Sequence, residues 1–62
     1  MVSQSTHNVE SELIAAIERL ELDARNLRRR IEHVRTEADK RVLNRQLSEI
    51  DQEIKVLRSR LD

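Results

Sequence analysis

His33, with Glu32 beside it and Glu37 one helical turn on, is the grouping in this chain that comes nearest to a metal site. A zinc ion wants three or four protein ligands, and one imidazole with one carboxylate does not close such a shell. The other histidine, His7, stands in a polar stretch near the start. Cysteine is absent, so thiolate ligation and disulfides fall away and cysteine usage says nothing of redox compartment. Carboxylate pairs occur at Glu10 with Glu12 and at Glu18 with Glu21. Acid–base catalysis would need a pocket that shifts their pKa values, and helix-surface carboxylates have none. Serine and histidine do not reach triad geometry on a helical scaffold. The sequence therefore predicts no enzyme, no metal, no cofactor and no small-molecule substrate.

Chemistry of another kind lies in the middle of the chain. Residues 1–24 carry five acids and one base (net −4), residues 25–45 eight bases and three acids (net +5), and residues 46–62 four acids and three bases (net −1). Clustered cations release counterions when they neutralise phosphates, which makes Arg25, Arg29, Arg35, Lys40, Arg41 and Arg45 the candidate nucleic-acid contacts. A plainer reading covers half the cluster. Cations near the C-terminal end of a first helix suit its dipole, and Arg28 and Arg30 have acidic partners to hand. Arg41 and Arg45 fit that reading less well, since they fall near a helix N-terminus. The complete lack of aromatics excludes stacking on single-stranded bases.

These side chains must be carried by helices. Glycine, proline and aromatics number zero, and 39% of the 62 residues are charged, 12 basic against 12 acidic. That composition removes turns with positive φ and aromatic anchors, and leaves a narrow apolar seam with solvated flanks. The seam is explicit. Ile17, Leu20, Ala24, Leu27, Ile31, Val34 and Ala38 form one run, and Leu43, Leu47, Ile50, Ile54, Leu57 and Leu61 a second, each alternating steps of three and four. This is coiled-coil spacing. The second run is out of phase with the first by two residues, about 200° around a helix. A single rod would present the two stripes on opposite sides, whereas a hairpin turns both inward.

The sequence thus predicts an all-α chain, an antiparallel two-helix coiled-coil hairpin that dimerises into a four-helix bundle. Its expected parts are a disordered polar leader over 1–8, a first helix over about 9–38, a turn over about 39–42 and a second helix over about 42–61. Two registers bury six apolar layers each. Partner numbers that sum to 81 pair Leu20 with Leu61 through to Ala38 with Leu43; a sum of 74 pairs Leu13 with Leu61 through to Ile31 with Leu43. Flanking charges favour 81, which joins Glu21 to Arg58, Asp23 to Arg60, Arg28 to Asp51 and Arg30 to Glu53, while 74 opposes Glu21 to Asp51 and Asp23 to Glu53. Neither Asn nor Lys occupies a core position to settle register instead. Thr36 as a helix cap would favour 74.

In the 81 register the first helix outruns the second, which strands Val9, Leu13, Ile14 and Ile17; Leu22 also lies off the seam. These five are the candidate interface, for a second copy or for another protein. Val42 and Val56 read as scattered surface residues. The start of the chain reads as no signal peptide. The longest apolar run, Leu13 to Ile17, is far short of the roughly 20 residues that span a bilayer, so no membrane partner is expected and the reading is cytoplasmic. The expected function is a non-catalytic interaction or oligomerisation module of the kind used by assembly and secretion chaperones and adaptors. The alternative is a dimeric RNA-binding bundle that uses the basic middle. Both rest on analogy of shape.

Overall fold

The computed structural model describes residues 3–61, with side-chain surroundings from Val9 to Leu61. Two helices, α1 (Ser3–His33) and α2 (Glu37–Leu61), pack against each other as a hairpin 53 Å long and about 16 by 13 Å across. The expected leader is helical from Ser3 onward; Met1 and Val2 lie outside the described residues. With no glycine or proline to stop it, a helix nucleated by the apolar run extends backwards at little cost.

The reversal occupies Val34, Arg35 and Thr36, earlier than the 39–42 expected. Thr36 sets it. Its Oγ1 accepts a hydrogen bond from the Asp39 amide at 3.1 Å, and its carbonyl accepts the first helical bond of α2, from the Lys40 amide at 3.1 Å. Glu37 and Asp39 place carboxylates in the first turn of α2, and Arg30 and His33 place nitrogen side chains in the last turn of α1, each suiting the local dipole. The final bond of α1 runs from the Val34 amide to the Arg30 carbonyl at 3.1 Å. No described residue adopts a positive φ, so α1 ends without a left-handed cap.

This turn excludes the 81 register. A sum of 81 puts His33 level with Ser48, which leaves Glu37 eleven residues, roughly 16 Å, beyond the end of α1. Four peptide links span at most about 14 Å, and the helices are also separated by some 8–10 Å sideways. A sum of 74 needs only about 6 Å along the axis, which the connection covers. Two further observations agree. Ile17, stranded in the rejected register, is 6% exposed, and one crevice at the open end is lined by Val9, Leu13 and Leu61 together.

Two core assignments change with the turn. Ala38 belongs to α2, outside its seam, and is exposed. The α2 seam extends backwards to Lys40, which is half-buried at a core position level with Val34. At the five levels between the ends, one residue is buried and its opposite half-buried: Ile17 over Leu57, Ile54 over Leu20, Ala24 over Ile50, Leu27 over Leu47 and Leu43 over Ile31. Two helices alone cannot enclose a seam, because each residue meets a partner on one side only.

Candidate interaction surfaces

Seam residues divide the hairpin into two long edges. On one, the e side, the residues following the seam in each helix face each other; on the other, the g side, the residues preceding it do. Glu21 and Arg28 of α1 meet Arg58 and Asp51 of α2 on the e side. Arg58 pairs with Glu21, and Arg28 Nη2 stands 3.8 Å from Asp51 Oδ1. Asp23 with Arg60 and Arg30 with Glu53 form no ion pair.

These two contacts were expected of the 81 register, yet they occur in the hairpin whose turn permits only 74. Helical side chains lean toward their own N-terminus. In antiparallel helices those leanings converge, so contacting side chains have number sums a few above the level of their backbones. Arg58 with Glu21 and Arg28 with Asp51 need a displacement of five residues, about 7.5 Å, which a long guanidinium covers. The two pairs that do not form would need nine residues, about 13 Å. All four partners in the formed pairs are exposed or half-buried, so each pair contributes only about 0.2–1 kcal/mol.

Between these pairs runs an open crevice of about 710 Å³, floored by Ala24 and Ile54 and flanked by Arg25 and Lys55 beside the paired charges. Ala24 makes it. Every other α1 seam residue from Leu13 to Val34 carries a larger side chain, and the small methyl at 2% exposure brings the groove floor down to the backbone. Small-molecule sites have predominantly apolar walls, and charged walls over an apolar floor suit a helix or a polar polymer better. The sequence held the signal in the one alanine of the central seam, but only the ion pairs reveal the edge it opens on.

The five candidate interface residues separate. Ile17 is a core residue of the hairpin, and Leu13 is half-buried at its open end beside Leu61. Val9, Ile14 and Leu22 remain exposed, at 59%, 45% and 53%. Val9 projects past the last described residue of α2, Ile14 lies on the e side, and Leu22 faces away from the seam. Val42 and Val56 are exposed on α2, on the same stripe as Glu49 toward the g side, as surface residues.

The turn at 34–36 falls at the centre of the basic segment 25–45 and folds that segment on itself. Arg29 is level with Arg45, and Arg41 with His33. Arg25, Arg29, Arg35, Arg41 and Arg45 are exposed, whereas Lys40 is half-buried. The closed end of the rod thus carries net +5, and the remainder, leading to the open end, net −5. His33 is exposed, and among the described residues no three His, Asp or Glu side chains come together as a metal site. No helix among the described residues is long and apolar enough to cross a membrane. Comparison with protein-family models, with curated proteins and with solved structures gives no match, so the reading of this chain rests on its own geometry.

Proposed function

We propose that this chain is a non-catalytic interaction module, a helical hairpin that self-associates into a four-helix bundle and presents the bundle's surface to another protein. The observation that carries the reading is uncovered area. A compact monomer of 7.4 kDa exposes about 4,200 Å² by the usual scaling of surface with mass, and this hairpin exposes 5400 Å². Only Ile17, Ala24, Leu27, Leu43 and Ile54 form the buried core, and the opposite member of each level stays half in water. A single core in a chain of this size seldom supplies more than about 3–5 kcal/mol unless staples or partners add to it, and this one has no cysteine for a staple. Covering one open edge of the seam with a second hairpin supplies part of what is missing. Sedimentation equilibrium tests it: the expected species is a dimer, and a monomer persisting at high micromolar concentration refutes the reading.

A second reading draws on the charge gathered at the closed end. Polyanion binding there would use Arg41 and Arg45, which are exposed in the second and third turns of α2, beyond the reach of its dipole. Its signature is affinity for RNA that falls steeply with salt and is lost when both become Glu. Absence of binding at low salt disposes of it.

A further inference from the structure

We propose that the second copy lies on the e side of the hairpin and runs antiparallel to the first, the closed end of each over the open end of the other. This rests on the self-association just proposed and adds its face and direction.

Charge along the rod decides the direction. With net +5 at the closed end and −5 toward the open end, copies laid in the same direction oppose like charges along their whole length. Reversal opposes unlike charges. Neighbouring helices are some 8–10 Å apart and screening at 0.1 M salt acts over about 10 Å, so charges directly across the interface count and remote ones do not.

Charge around the rod decides the face. A two-fold axis crossing the e side between Glu21 and Leu22 sets Glu18 of each copy opposite the other's Arg25. On α2 the same operation sets Asp51 of each copy opposite the other's Lys55, about an axis at Glu53. Glu53 is level with Glu21, so both self-complementary sets belong to one axis to within about a helical turn. Arg25, Asp51 and Lys55 line the crevice floored by Ala24 and Ile54, which lies at that level. Glu18 and Arg25 are exposed, and neither takes part in an ion pair among the described residues. On the g side the corresponding level of α2 holds Glu49 and Glu53. A two-fold axis there sets Arg19 opposite Asp23 on α1 but turns Glu53 against Glu53 on α2. The e side is the better matched face, since both its helices oppose unlike charges and Glu21 at the axis is held by Arg58. In extent, this axis overlaps α1 with its copy over residues 10–33 and α2 with its copy over 45–61, about 36 and 25 Å. A strip of that length about 16 Å wide offers roughly 500 Å² per copy, the size of a small, transient interface.

The experiment is a charge swap read by sedimentation equilibrium, with far-UV circular dichroism to check helicity. In an isologous dimer each substitution acts twice. E18R and R25E alone are each expected to weaken dimerisation about 30-fold. An equimolar mixture of the two is expected to recover the parent affinity as a heterodimer. In that heterodimer the arginine introduced at position 18 faces the glutamate introduced at position 25, and the unaltered Arg25 of one copy faces the unaltered Glu18 of the other. K55E, on the other helix, is expected to weaken the dimer likewise, and serves if a variant in α1 loses helicity. Singles that dimerise as tightly as the parent, or a mixture no tighter than the singles, overturn the assigned face while self-association stands. A parent chain that is monomeric overturns both.

Discussion

Replacing Ile17 by Ala separates the observed register from its rival by free energy. Ile17 is 6% exposed, so almost all of its side chain leaves water on folding. Deleting the equivalent of three methylene groups at about 0.8 kcal/mol each removes about 2.4 kcal/mol of transfer energy. A residual cavity adds to this in a closed core, but here both edges of the seam are open and neighbours can settle into the space. The expected loss is therefore about 2–3 kcal/mol, near the lower end for such truncations. A 62-residue domain has roughly 3–9 kcal/mol in all, so the variant should lose a large share of its stability. At about 4–8 °C per kcal/mol for small domains, its midpoint should fall by about 10–20 °C. The assay is thermal unfolding followed by far-UV circular dichroism, at one low protein concentration because association raises apparent stability. Ile14→Ala, three residues away and 45% exposed, is the control, expected to change stability by no more than about 0.5 kcal/mol. Equal effects from the two substitutions would refute the register, since both residues are unpartnered only in the 81 pairing.

Three further outcomes follow from the turn and the flanks. Thr36→Ala removes the acceptor of the Asp39 amide and should cost about 1 kcal/mol in urea unfolding; no change would mean that the cap does not hold the turn. Lys40→Leu completes the core level opposite Val34 and should stabilise the hairpin by about 1 kcal/mol, whereas a loss of stability would show the lysine stem already packed better than an apolar side chain. A double-mutant cycle on Glu21 and Arg58 should return a coupling of about 0.2–1 kcal/mol that shrinks in high salt, and zero coupling at low salt would contradict the ion pair.

Helicity, the two-helix division and the hairpin were legible because the seam changes phase between Val34 and Leu43, and no local signal competes with it. The register was not. Both pairings bury similar rows, which leaves the flanking charges to choose, and they favour 81 only when partners are required to be level. Arg58 and Arg28 reach their acids by leaning along the helix, so their pairing carries less register information than the numbering suggests. What fixes register is the turn, and its signal in the sequence is the Thr36 hydroxyl, weaker than a glycine cap. Ala38 misled for a related reason: its spacing continues the first seam, but a helix that has already ended cannot use it. Lys40 is invisible to an apolar pattern, which starts the second seam at Leu43. Of the surface residues, Ile14, Leu22 and Val9 were readable as off the core or beyond its end, while the e-side crevice required knowing which charges pair.

The three-residue connection also orders the way the molecule forms. Once Val34 to Thr36 has reversed the chain, Ile31 and Leu43 have only a short loop to close, and each level formed leaves a shorter free segment before the next. Closing Leu13 onto Leu61 first would instead cost the entropy of a loop of almost 50 residues, a penalty that rises with the logarithm of length. Folding from the turn toward the open end avoids that penalty, and unfolding should start where folding finishes. Amide exchange in the native state should accordingly be slowest for α1 and α2 amides near the turn and quicken toward Val9 and Leu61, giving the rod a graded rather than uniform persistence along its length.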